Sequence, residues 1–84
     1  MNVGMLWFDN DSKSDITSKV KRAANYYVGK YGDQPNICFI HPSMAAQDGE
    51  NANEAEKFDA GDIEVHLTTS VLPHHFWIGK QLQN

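Results

Sequence analysis

The chain has 84 residues, of which 40% are hydrophobic, and a formal net charge of −4. A chain this short forms one domain that buries only about 60–65% of its unfolded surface, so disulfides, a metal or a partner subunit often add stability. The single cysteine excludes an intrachain disulfide, and the acidic balance does not favour a nucleic-acid partner, which binds a concentrated basic surface.

The N-terminal third predicts a strand followed by a helix. Residues 3–8 contain the continuous apolar run Met5 to Phe8, which is typical of a strand buried on both faces. Residues 14–31 place apolar side chains at three- and four-residue spacing, which indicates an amphipathic helix. Ser12 or Ser14 is suited to cap its start, and Gly32 is suited to end it.

Three further strands are predicted after the helix. Residues 37–41 form a second apolar run that ends before Pro42, residues 62–68 alternate apolar and polar side chains, and residues 75–78 form a final aromatic strand. Residues 44–61 are acidic and rich in small side chains, so they predict a mobile acidic loop.

The element order predicts a single β-α-β-β-β domain over residues 1–84, of the α/β (α+β) class, with one main helix on a four-stranded mixed sheet. One helix covers only one face of a sheet, although the first two strands look apolar on both faces. We therefore expect the loop or a second copy of the chain to cover the other face, and a symmetric homodimer is the simpler arrangement. The candidate interface residues are the aromatic side chains of the strands: Trp7, Phe8, Phe39, Phe76 and Trp77.

Histidines beside two prolines suggest an alternative function. Asp9 follows the first strand, His41 ends the second, His74 precedes the last and His75 begins it. Parallel strands end at one side of a sheet, where ligands commonly bind, so these residues form a candidate site for a divalent metal in a hydrolase or nuclease. The spacing matches no metal-binding motif, so a structural role for the four residues is the competing interpretation, and no cofactor is otherwise predicted.

A weaker alternative concerns the cations of the helix. Lys19 and Arg22 are three residues apart and share a helix face, and Lys30 lies near the end. Such residues beside Tyr26 could contact a nucleic-acid strand. The competing interpretation is an ordinary solvated helix face with its cations near the C-terminus.

No apolar run approaches the ~20 residues of a membrane span, and no basic leader precedes one. Cys38 lies in an apolar run and is expected to be a buried thiol, which fits a reducing compartment. These features predict a cytoplasmic protein without a membrane partner.

Several segments together resemble a group of small uncharacterised prokaryotic α/β proteins. The segments are LWFD at residues 6–9, HPS at residues 41–43 and VLPHHFWIG at residues 71–79, together with AA-YY, KYG and PN in the helix and the following turn. The resemblance implies a prokaryotic, intracellular, stand-alone domain, and it implies no activity and no catalytic residues. The leading functional prediction is a non-enzymatic binding module that associates mainly with itself.

Overall fold

The computed structural model describes residues 3–46 and 57–81. In chain order the elements are β1 (Val3–Phe8), α1 (Ile16–Tyr31), β2 (Ile37–Ile40), α2 (Pro42–Ala46), β3 (Lys57–Ala60), β4 (Ile63–Leu67) and β5 (His75–Lys80). The strands form one mixed sheet in the order β1-β5-β2-β4-β3, and α1 is the main helix. The predicted α+β class with one main helix on a mixed sheet is confirmed.

The number of strands differs from the prediction. The sheet has five strands where four were predicted, because β3 lies within residues 44–61, which were predicted to be a loop. The same segment begins inside the short helix α2. β3 pairs antiparallel with β4. The intervening residues 47–56 of the predicted loop lie outside the described residues.

The two ends of α1 have identifiable caps. The Asp15 carboxylate accepts a hydrogen bond from the Ser18 backbone N–H at 2.8 Å, so Asp15 caps the helix instead of the predicted Ser12 or Ser14. At the other end, Gly32 has a left-handed conformation, with φ of 72°, and its N–H donates to the Val28 carbonyl. A side chain other than glycine is disfavoured in that conformation, which explains why the helix ends there.

The strand β5 lies between β1 and β2. It pairs antiparallel with both, so β1 and β2 run parallel to each other without being neighbours, and β2 also pairs parallel with β4. The carboxyl ends of β1 and β2 and the start of β5 therefore lie at one end of the sheet. This arrangement positions most of the residues singled out in the sequence.

The core lies between α1 and one face of the sheet. Along α1, Val20, Ala23, Ala24 and Tyr27 are buried at helical spacing. Every second residue of each strand points toward α1, and the register aligns these residues with one another across neighbouring strands. The strand residues that contribute to the core cluster are Met5, Cys38, Ile40, Ala60, Ile63, Val65, Phe76 and Ile78, with Trp7, Phe58 and Leu67 packed against it. The other face of the sheet has no helix packed on it among the described elements.

No helix in the described ranges combines the length and the apolar character needed to cross a membrane.

Candidate functional site

The helix-free face of the sheet carries a row of side chains that crosses all five strands. The strand registers align Leu6 with Trp77, Trp77 with Phe39, Phe39 with His66, and His66 with Lys57. Successive strand residues point to opposite faces of a sheet. The sequence neighbours of these residues point toward the core, so the row itself lies on the face away from α1. The row changes from apolar at β1 to charged at β3.

The most exposed apolar side chains of this face lie at its β1 end. Leu6 is 64% exposed and Phe8 is 56% exposed, and Leu72 in the turn before β5 is 67% exposed. Leu6, Leu72 and Trp77 line a shallow hollow of about 280 Å³ together with Ser70, Val71 and His75. We call Leu6, Phe8, Leu72 and Trp77 the apolar rim. Contiguous apolar groups exposed to this extent are typical of a contact surface.

Aromatic contacts connect the rim to the middle of the sheet. The ring centroids of Phe8 and His75 lie 5.1 Å apart, and those of Phe39 and Trp77 lie 5.6 Å apart. The Phe39 ring also lies 5.4 Å from the imidazole of His66. These distances fall within the range of favourable ring pairs, so the rings are held in place before any partner binds.

The β3 end of the face is charged and internally paired. His66 Nε2 lies 2.8 Å from Glu64 Oε1, and Lys57 Nζ lies 3.4 Å from Glu64 Oε2. The hydrogen bond with His66, followed by that with Lys57, lowers the pKa of the Glu64 carboxyl. This end presents a charged surface that also includes the exposed Asp59 of β3, in contrast to the apolar rim.

The five predicted interface residues divide between the two faces. Phe8, Phe39 and Trp77 lie on the helix-free face. Trp7 and Phe76 instead lie on the helix side. They are opposite each other in the β1–β5 register, one position along from the Leu6–Trp77 pair, so their side chains point to the other face. Phe76 is fully buried in the core, so it cannot be a direct contact in the folded chain, and Trp7 packs on Tyr26 at a centroid distance of 5.0 Å on the helix side.

Leu6 and Leu72 are surface residues that the sequence did not single out. The available signal for Leu6 was its spacing of two residues from Phe8, which places both on one face. Leu72 lies in a turn, where no periodicity indicates the direction of a side chain.

The residues predicted to bind a metal lie at one end of the sheet, but each has a local structural role. Asp9 accepts hydrogen bonds from Arg22 Nη1 at 3.0 Å and from the Asp11 backbone N–H at 3.0 Å. His41 precedes α2, and its Nδ1 accepts from the Ser43 backbone N–H at 3.1 Å and lies 2.8 Å from Ser43 Oγ. His41 thus acts as the N-terminal cap of that short helix.

His74 lies in the turn that leads into β5, and His75 is the first residue of that strand. The φ of His74 is 67°, its carbonyl accepts from the Asp9 N–H at 2.9 Å, and its own N–H contacts Met44 Sδ at 3.3 Å. His75 Nδ1 lies 2.9 Å from the Pro73 carbonyl, which can only accept, so Nδ1 carries the proton. Within residues 3–46 and 57–81, no group of three or more His, Cys, Asp or Glu residues could hold a metal ion.

The three helix cations are not equivalent. Lys19 is only 4% exposed, so its side chain is not available to a large ligand. Arg22 binds Asp9 and Ser14 and lies 3.7 Å from Asp11. Lys30 is exposed, with Nζ 5.5 Å from the centre of the Tyr31 ring. The predicted nucleic-acid residues therefore do not form one exposed basic patch.

Cys38 is buried, and its thiol is expected to be unreactive. It has no exposed surface, and burial raises the pKa of its thiol to about 12. The thiolate is the reactive form of cysteine, so this residue is a core side chain and not a nucleophile.

Comparison of the chain with protein-family models, curated proteins and solved structures found no match.

Proposed function

We propose that the chain is a non-enzymatic binding module that associates with a second copy of itself through the β1 end of its helix-free face. The observation that carries this proposal is the apolar rim, in which Leu6, Phe8 and Leu72 are each more than half exposed. Burial of apolar surface is worth about 25 cal/mol per Å², so covering these side chains favours association.

The charge pattern supports a copy of the same chain as the partner. The rim carries no charged side chain, whereas the charges of this face lie at its far end on β3 and β4, where Lys57, Glu64 and His66 pair with one another. Two rims can therefore meet without bringing like charges together. A symmetric contact of this kind uses the same patch on both copies.

The two alternative functions have less support. Asp9 is bound to Arg22, and His41 caps α2, so these candidate ligands already have partners that a metal would need to displace. Lys19 is buried, which removes one of the three cations proposed to contact nucleic acid. The buried Nδ1 of His74 has no hydrogen-bond partner, but no group of three or more His, Cys, Asp or Glu residues in the described ranges could hold a metal ion, so self-association has the stronger support.

Sedimentation velocity of the wild-type chain and of Leu6→Lys tests the proposal. We expect a wild-type dimer and a monomeric variant, because an ammonium group buried at the contact without a partner opposes association and weakens it by at least about 100-fold. Leu6 is mostly exposed within one chain, so the substitution should leave the fold intact.

Val28→Lys is the matched control. Val28 is an apolar residue that is 37% exposed on the outer side of α1, away from the rim. It should keep the wild-type dimer. A wild-type chain that stays monomeric at all concentrations, or a dimer that resists Leu6→Lys, would contradict the proposed function.

A further inference from the structure

The backbone of β1 offers hydrogen-bonding groups on its outer side. The Asp9 N–H donates to the His74 carbonyl, so in this antiparallel pair the odd-numbered residues of β1 direct their backbone groups toward β5. The hydrogen bonds of β5 lead to the same assignment. The Gly79 carbonyl accepts from the Asn36 N–H on the β2 side, so Gly79 directs its backbone groups away from β1 and does not bond to Gly4, which lies opposite it. The N–H and C=O groups of Gly4, Leu6 and Phe8 therefore point away from the sheet.

No described strand pairs with that outer side, since β1 is the first strand in the sheet order. Natural proteins usually protect such an edge with charged residues, proline, a bulge or a short strand. β1 has six residues with the sequence VGMLWF, so it has neither charge nor proline. β3, at the opposite edge, has four residues and carries Lys57 and Asp59. The sheet thus protects one edge and leaves the other able to pair.

The sequence of β1 is complementary to itself in one antiparallel register. Only residues with outward backbone groups can form hydrogen-bonded pairs across the edge, so even-numbered residues must face even-numbered residues. A two-fold axis at Leu6 places Leu6 opposite Leu6 of the second copy and Gly4 opposite Phe8 of the second copy. The bulkiest exposed side chain of the strand then lies opposite the residue that has no side chain.

The indole ring of Trp77 occupies the space above Gly4. A Cβ at Gly4 would lie 2.3 Å from Cζ2 of Trp77, so the indole covers this glycine. In the register centred on Leu6, Phe8 of the second copy comes beside that indole, and the aromatic contacts of the helix-free face continue from one copy to the next. Ring contacts of this kind add to the area buried.

Building on the proposed self-association, we propose that two copies join edge to edge through β1, antiparallel and centred on Leu6, into one continuous sheet. Each even-numbered pair exchanges both of its N–H···O bonds, and the Leu6 and Phe8 side chains of the two copies close over the seam. The occupant of the edge is a second β1 strand, so the contact is a main-chain interface and not only a packing of apolar faces.

Comparison of Leu6→Pro with Leu6→Ala in sedimentation equilibrium tests this geometry. Proline is tolerated on an edge strand where the N–H faces outward, so Leu6→Pro keeps the pairing with β5, removes the central outward donor and places a ring in the seam. Leu6→Ala keeps the donor. Edge pairing predicts a dissociation constant about 10- to 100-fold higher for Leu6→Pro than for Leu6→Ala, with circular dichroism confirming that both are folded.

Disulfide trapping tests the register by a second route, which does not depend on proline. Leu6→Cys should give a covalent dimer under mild oxidation, because Cα atoms of a hydrogen-bonded pair lie about 5.5 Å apart, within the range a disulfide spans. Phe8→Cys is the matched control. Its two thiols would be separated along the strands by about 13 Å and should not react. Cys38 is buried and should not contribute.

The outcomes separate this inference from the proposed function. A wild-type dimer that tolerates Leu6→Pro as well as Leu6→Ala, or that traps through Phe8→Cys and not through Leu6→Cys, overturns edge pairing and leaves self-association standing. A wild-type monomer overturns both. Loss of the dimer in Leu6→Pro together with trapping by Leu6→Cys supports the continuous sheet.

Discussion

Gly4 and Gly29 are two glycines in regular elements with opposite surroundings. A Cβ at Gly4 would lie within 2.6 Å of three atoms of the Trp77 indole, whereas one at Gly29, within α1, meets nothing within 4 Å. The indole is a rigid ring held against Phe39, so it cannot move away without losing contacts. The same substitution should therefore have opposite effects at the two positions.

Gly4→Ala should destabilise the fold by about 1–3 kcal/mol, because the added methyl group forces Trp77 to shift. Gly29→Ala should stabilise it by about 0.5–1 kcal/mol, since alanine loses less backbone entropy in a helix. Urea unfolding of both variants under conditions that keep the chain monomeric measures the two values. An unaffected or more stable Gly4→Ala protein would show that the indole does not cover this position.

At the scale of the element, Asp15 links the stability of α1 to pH. The Ser18 backbone N–H, followed by the Ser18 hydroxyl, lowers the pKa of the Asp15 carboxyl below its ordinary value of 3.8. A carboxyl with a depressed folded-state pKa contributes stability above its unfolded pKa and loses that contribution as the pH falls through the folded value. The helix should therefore weaken in acid.

Asp15→Asn tests this link, because asparagine keeps an acceptor for the Ser18 N–H but does not titrate. The wild-type chain should lose more unfolding free energy than Asp15→Asn as the pH falls from about 5 to about 2, since only an aspartate at position 15 binds a proton, first in the unfolded chain and then in the folded chain. Asp15→Ala should be less stable than both near neutral pH. Equal acid sensitivity of the wild type and Asp15→Asn would show that other carboxyls account for the loss.

The sequence predicts some elements better than others for physical reasons. The helical spacing of Val20, Ala23 and Tyr27 and the alternation of β4 produce clear periodicities, and both elements lie where predicted. β3 is a short strand of mixed composition, KFDA, so it has no such signal and was placed in a loop. Its identity depends on pairing with β4, which is a non-local contact.

The candidate site was only partly predictable for a related reason. A run such as Met5 to Phe8 shows that a strand is apolar, but it does not show which residues face the helix. That assignment comes from the register with β5, which directs Trp7 and Phe76 to the core and Phe8 and Trp77 to the open face. Likewise the sequence placed Asp9 and His41 at one end of the sheet but could not show that Arg22 and Ser43 bind them.

For the whole molecule, self-association links stability to concentration. A dimer that forms only from folded chains stabilises the folded state by mass action, so the melting temperature should rise with protein concentration. Leu6→Lys should remove this dependence while leaving the melting temperature of the dilute protein nearly unchanged, because Leu6 is 64% exposed in one chain. Differential scanning fluorimetry over a wide range of concentrations measures both effects. A wild-type melting temperature that is independent of concentration would argue against the dimer.

The position of β5 has a consequence for biosynthesis. β5 is the last of the five strands in sequence, yet it lies between β1 and β2 and supplies the hydrogen-bond partners of both. While the ribosome is still adding the residues before His75, β1 has neither of its edges paired within the sheet, and the nascent chain presents VGMLWF as an unprotected segment. Sheets built from such distant pairings form slowly and are exposed to aggregation until they close. Of the five strands, β1 is thus synthesised first and stays unpaired until β5, the last, has been made. The need of this chain for chaperones should therefore depend on the time between the synthesis of β1 and that of β5.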